Sequence, residues 1–274
     1  MTVTEAEIAH WRSWIGKTES RTEILDSQAL TRFAAAIGEP LNVGEIQPSL
    51  AHWAFFLPVA AADRIGPDGH PIRGGFLPPV SLPRRMFAAS DMAFGPSLLL
   101  DREATRISIV RDVAHKSGRS GELILLTVDH RIVQGDNECV RETQTIVYRD
   151  AGGVTPAIVP APFPPEEKGA VWTPSTVDLF RFSAVTFNSH RIHYDLPYAC
   201  AEEGYPGLVI HGPFTAAKLF GQARNGGRKP SRFSFRAVAP VFCGQSVLLR
   251  EDEGGRFRAI RCDGMDAMVA DVAY

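Results

Sequence analysis

Residues 151–171, AGGVTPAIVPAPFPPEEKGAV, hold five prolines. Proline fixes φ and lacks a backbone donor, so this stretch can be neither a long helix nor an inner strand. It reads as an extended linker, and it falls near the middle of a 274-residue chain. The chain is thereby divided into two units, residues 1–150 and 172–274. Together they are long enough to bury a substantial core.

The two units repeat one order of segments. An apolar-aromatic helical segment ends in RFAAAIGEP (32–40) in the first half and in RFSAVTFNS (181–189) in the second, with Phe33 opposite Phe182. A Gly/Pro-rich loop opening into a helix comes next, GGFLPPVSLPRRMFAASDMAF and then GLVIHGPFTAAKLFGQARNGG. Strand-like runs follow: TRISIVRDVAHKS, GELILLTVDHRIV and ECVRETQTIVYRD, then SRFSFRAVAPVF, QSVLLRED, RFRAIRC and MDAMVADVAY. Alternation at Val140, Thr143, Thr145 and Val147 points to strands with one buried face. The expected class is α+β: two tandem copies, each an antiparallel sheet wrapped around a long helix.

Composition excludes several partners. The formal net charge of −2 gives no standing attraction for nucleic acid or an anionic membrane. Cys139, Cys200, Cys243 and Cys262 show no CxxC spacing, so they read as reduced thiols of a cytoplasmic protein, without a zinc ribbon or disulfide frame. The N-terminus lacks a basic and apolar leader pattern, and stretches such as WAFFLPVAAA are too short to span a bilayer. There is neither a metal-spaced cluster nor a dinucleotide turn, so no cofactor is expected.

FSAVTFNSHRIHYD (182–195), GLVIHGPFTAAKLF (207–220), GPDGHPIRGGFLPPVSLPRRM (66–86) and RFSFRAVAPVF (232–242) together resemble the MaoC-like, hydroxyacyl-thioester dehydratase type 2 family of double hotdog proteins. LPRRM resembles its branch acting on branched C5 dicarboxylyl-CoA thioesters, the mesaconyl-C4-CoA and itaconyl-CoA hydratases. The family motif sets an aspartate five residues before a histidine, then His-Gly at the start of a helix. Here the histidine matches His193 and the His-Gly matches His211-Gly212, while Asn188 stands in the aspartate position. The resemblance implies an acyl-CoA thioester as substrate and further homodimerisation.

Hydrating an enoyl thioester needs a base for water, an acid for the α-carbon, and a donor for the developing enolate oxygen. His193 suits the first two tasks as a single acid-base, and Asn188 is expected to hold the water. Gly212 would present a free N–H in a helix first turn, with His211 orienting the loop. Pro213, Ala216, Ala217 and Phe220 mark that helix's buried face. Arg84 and Arg85 are candidates for a CoA phosphate or a substrate carboxylate, with Arg236 as a third substrate contact that needs a partner on a half-buried strand. Arg224, Arg228 and Lys229 form another basic patch. His190 has no assigned role, and Asp195 reads as a turn or cap residue. The first half, with Glu39 opposite Asn188, is expected to shape the acyl pocket. Two alternatives stay open: a thioesterase using Glu39 or Asp195, and an acyl-CoA-binding protein without catalysis.

Overall fold

The expected alternation becomes strands in a computed structural model that describes residues 3–118 and 121–274. The first half contributes α1 (Glu5–Arg12), β1 (Thr18–Ile24), α2 (Ser27–Ile37), β2 (Arg84–Phe94), β3 (Glu103–Gly118), β4 (Gly121–Gln134) and β5 (Asn137–Arg149). The second contributes β6 (Ala170–Trp172), α3 (Thr176–Val185), α4 (Leu196–Ala201), α5 (Gly212–Ala223), β7 (Arg232–Ala237), β8 (Val247–Glu251), β9 (Arg256–Arg261) and β10 (Asp266–Ala273). Two sheets were expected, but the strands form one. Its order is β1-β3-β4-β5-β2-β7-β10-β9-β8-β6, joined across the halves where β2 pairs antiparallel with β7. Ten strands in one curved sheet leave no open edge between the halves.

Local chemistry places the helices. Asp26 caps α2 by accepting from Gln28 N at 2.8 Å, and Gly38 ends it at φ +72°. Ser175 and Asp178 form a capping box on α3. Phe33 and Phe182, matched in the sequence repeat, pack together with ring centroids 6.1 Å apart. On α5 the buried set includes Ala216, Ala217 and Phe220, and extends around the helix to Phe214, Thr215, Leu219 and Ala223. Pro213 is only half-buried.

The first half departs from the expected pattern in one decisive way. The segment GGFLPPVSLPRRMFAASDMAF does not open into a helix; its end is β2. Among the described residues no counterpart of α5 therefore fills the inner face of β3, β4 and β5. That face is also unexpectedly polar. Val140 points inward as expected, but Thr143, Thr145 and Val147 have the opposite parity, and Glu142 and Gln144 share the Val140 side. Buried Glu142 accepts from Ser90 Oγ at 2.7 Å, His52 Nε2 at 3.2 Å and Trp53 Nε1 at 3.3 Å. Burial alone would raise its pKa, but the hydrogen bond and charge of His52 bring the carboxyl down to about 2. The uncovered face becomes one wall of a cavity.

Candidate active site

The cavity has a volume of about 940 Å³, within the size range of small-molecule sites, and both halves line it. Its second-half wall begins where α3 stops. Phe187 adopts φ +48°, and Asn188 N donates to Ser183 O at 2.9 Å, a six-residue reversal of the Schellman kind with an aromatic residue where glycine is usual. The turn aims residues 188–193 into the cavity. A first-half loop clasps them from outside. Arg191 N donates to Asp68 O at 3.0 Å, Arg191 Nη1 to Pro67 O at 3.0 Å, and Ser189 Oγ to Gly69 O. Residues 208–210 run alongside: Val209 N bonds Ile192 O at 3.0 Å, and Ile210 N bonds Val241 O at 2.8 Å.

This packing gathers four imidazoles. The rings of His193 and His211 stack at 3.6 Å, His190 meets His193 edge-on at 5.5 Å, and His70 of the first half lies 4.3 Å from His190. All four line the cavity. Burial pushes His193 down to about 3, with His190 adding to the effect, and pushes His190 down to about 4, with Arg85 and then Arg73 adding to it. His70 and His211 lie well below the ordinary range, chiefly through burial. At neutral pH the four are uncharged, which permits the close stack. His193 Nδ1 faces Val209 O at 2.7 Å, and since a carbonyl only accepts, Nδ1 carries the proton. Its Nε2 keeps a lone pair and has no protein partner among the described residues. His211 Nε2 lies 2.8 Å from Ser183 Oγ, while its buried Nδ1 is unpartnered.

Gly212 opens α5 directly after His211. Pro213 has no N–H, and the amides of Phe214 and Thr215 both donate to His211 O, at 3.0 and 3.2 Å. The Gly212 N–H is thus the unengaged donor of the first turn, at the positive end of the helix dipole. A Cβ at Gly212 would meet Phe87 O at 3.6 Å, an ordinary contact, so the glycine clears space for whatever enters the cavity.

Other expected residues sort differently. Arg85 lines the cavity, and its guanidinium makes no hydrogen bond or ion pair among the described residues. Arg84, in contrast, is buried with its Nε 3.0 Å from Glu203 Oε2 and its Nη2 on Glu203 O. Its fork ties β2 to the segment after α4, and Arg84 lines the cavity beside Arg85. The Arg236 expectation is corrected: it is exposed, outside the cavity lining, because Phe233 and Phe235 take the inward positions of β7. Asn188 lines the cavity, and its Oδ1 accepts from His190 N at 3.0 Å, which engages one of that oxygen's two lone pairs within the loop. Asp195 caps α4 and pairs with Arg191, as a cap residue should. Glu39 accepts from Ser49 N and lies 3.7 Å from Arg224, away from the cavity. Arg228 pairs with Glu251. Among the described residues no group of three or more His, Cys, Asp or Glu could hold a metal ion.

A family profile, hydroxyacyl-thioester dehydratase type 2, matches residues 50–243, a span that includes all four histidines and Gly212. The chain belongs to this family. A mesaconyl-C(4)-CoA hydratase from Chloroflexus aurantiacus is 44% identical over 275 residues, covering 96% of this dehydratase and 98% of the relative. Among solved structures, a MaoC-like dehydratase from Phytophthora capsici superposes with TM-score 0.67 at 14% identity, covering 97% and 98% of the two chains. A double hotdog protein from Mycobacterium tuberculosis gives TM-score 0.54 at 11% identity over 94% and 95%. These likenesses establish the double hotdog fold of this dehydratase, and its membership establishes a hydratase-dehydratase acting on CoA thioesters.

Sequence reasoning did not single out His70 and gave His190 no role, yet both line the cavity. His70 sits 120 residues before His190 in a glycine-rich loop, where a lone histidine gives no periodic signal. The one available hint was the glycine at 69. Its φ of +87° and a Cβ-to-Ser189 O distance of 1.9 Å show why nothing larger stands there.

Proposed function

We propose that this dehydratase reversibly hydrates a branched C5 dicarboxylyl-CoA, mesaconyl-C4-CoA or itaconyl-CoA, to citramalyl-CoA, with His193 as its acid-base. The observation that carries this reading is the pair of unengaged groups on one cavity wall, the His193 Nε2 lone pair and the Gly212 N–H. With mesaconyl-C4-CoA, whose double bond is conjugated to the thioester, the water oxygen bonds to the β-carbon as one water proton passes to His193 Nε2. The displaced π electrons move to the thioester oxygen, where the Gly212 N–H stabilises the enolate. The enolate then takes that proton back from His193 at the α-carbon. Nothing else is consumed, and dehydration is the same path reversed.

Arg85 supports the dicarboxylic substrate. It is an unpaired guanidinium in a cavity whose histidines are neutral, so a carboxylate beside the reacting carbons would give it a bidentate partner. The Chloroflexus relative, similar over nearly its whole length, bears the name of an enzyme for such a thioester. The thioesterase reading has little to stand on, because Glu39 and Asp195 lie outside the cavity and Glu19, the carboxylate on its lining, pairs with Arg21 at 2.9 Å. Four unpaired cysteines fit a reducing cytoplasm.

The test is steady-state hydration of mesaconyl-C4-CoA, itaconyl-CoA and crotonyl-CoA by wild type, His193→Ala and Arg85→Gln. Wild type should prefer a dicarboxylic thioester. His193→Ala should lose about 100-fold or more in kcat. Arg85→Gln should raise KM for the dicarboxylic substrates by about tenfold and leave crotonyl-CoA unchanged. Release of free thiol in place of hydration would overturn the reading, as would full activity of His193→Ala.

A further inference from the structure

A water poised to attack a β-carbon directs an oxygen lone pair at that carbon, so both of its O–H groups need acceptors elsewhere. His193 Nε2 is one. Asn188, the expected second, is the poorer candidate, because one lone pair of its Oδ1 is engaged by the His190 amide at 3.0 Å and its NH₂ only donates. The carboxylate on the cavity lining, Glu19, lies on β1 of the first half, paired with Arg21. His190 is different. Its ring is buried from bulk solvent, lines the cavity, stands edge-on to His193 at 5.5 Å, and has no hydrogen-bond partner among the described residues. An uncharged imidazole always keeps one nitrogen lone pair.

We infer that His190 is the second acceptor for the catalytic water, holding one O–H while His193 takes the proton of the other, and that His70, reaching over from the first half, fixes the His190 ring by packing against it. His190 neither gains nor loses a proton in the cycle, so the proton balance given above is unchanged. Three observations sustain this. His70 packs against His190 with ring centroids 4.3 Å apart and planes tilted by 36°, while His193 meets His190 nearly at right angles at 5.5 Å. The Asn188 bond reaches the His190 backbone, so the contact that engages the amide oxygen also positions the His190 ring. Finally, the groups facing His190 are His70, His193, His211, Arg85 and Arg73, with no carboxylate among them; Arg85 and Arg73 disfavour a protonated His190 and keep its acceptor available. His190 is thereby a catalytic residue in contact with water, and His70 is a positioning residue.

This inference rests on the proposed hydration. It is tested with His190→Phe, which keeps an aromatic ring for His70 but removes the acceptor, and with the double variant Asn188→Asp/His190→Phe. An aspartate can keep the cap on the residue 190 amide with one oxygen and offer the second to water. On the preferred thioester, His190→Phe should lose about 100-fold in kcat with KM changed less than about threefold. The added Asn188→Asp should recover at least about tenfold of that loss, which a merely structural defect would not allow. His70→Phe, which preserves the packing, should retain most activity, and His70→Ala should lower kcat more than KM. Should His190→Phe not fold, His190→Gln and His190→Leu replace it, with Gln required to outperform Leu. Near-normal kcat in His190→Phe, no recovery in the double variant, or equal Gln and Leu activities would each overturn the inference. If wild type turns over and His193→Ala does not, such a result sinks only the role of His190. If wild type hydrates none of the thioesters, both readings fall together.

Discussion

At the residue scale, the site depends on imidazoles kept neutral by burial. In an unfolded chain each titrates near 6.5, and in the fold His190 and His193 sit near 4 and 3 with His70 and His211 also lowered. Between the folded and unfolded values the unfolded chain binds more protons, so stability is fully present above about 6.5 and declines as pH falls toward 4 and 3. Thermal unfolding followed from about pH 8 to about pH 5 should show Tm dropping once below about 6.5, ahead of the ordinary carboxylate range. His190→Phe should flatten that drop. Activity should behave differently: kcat/KM should carry no acid limb near 6.5, because His193 is already deprotonated there. A limb at that pH would mean that His193 is solvated in the working enzyme.

At the element scale, the clasp between loop 66–70 and segment 188–191 decides whether the two halves share a site. Gly69 is its tightest point, with φ +87° and room for no Cβ against Ser189 O. Gly135 is a matched control, with φ +55° and nothing within 4 Å of a built Cβ. Gly135→Ala should cost about 1 kcal/mol, the ordinary price of a left-handed alanine. Gly69→Ala should cost at least about 2 kcal/mol more and lower kcat, because it must push the loop bearing His70 away from His190. Denaturant unfolding and steady-state kinetics of the two variants check this. Equal losses in both would show that the clasp carries no strain and does not hold the imidazoles.

At the scale of the whole molecule, the β2–β7 seam makes the sheet continuous and brings Arg85 and His70 over the second half's histidines. We propose that residues 172–274 form the catalytic unit and residues 1–150 the unit that shapes the pocket. The second half expressed alone keeps His193, Asn188, His211 and Gly212, but it uncovers β7 as an edge strand bearing Phe233 and Phe235. It should be inactive and prone to self-association, and co-expression with residues 1–171 should restore hydration. Size-exclusion chromatography and the hydration assay read both outcomes. An active, monomeric second half would show that the first half adds nothing to the chemistry.

What the sequence by itself determined was local: the strand runs, the apolar helical segments around Phe33 and Phe182, and the His193 and His211-Gly212 motif. Each rests on neighbours a few residues apart, whose backbone preferences act in any context. Only the tertiary structure decided the remainder. A strand pattern of period two marks two faces without saying which is inward, so Arg236 and the Glu142 row fell on unexpected sides. Nor does a sequence say which distant group will meet a charge. Arg84 found Glu203 across 119 residues while its neighbour Arg85 stayed free. The absence of a first-half helix opposite α5 opened the cavity, and a fold-back of 120 residues set His70 on His190. Such meetings are selected by packing of the whole chain, where burial and hydrogen-bond satisfaction are settled together.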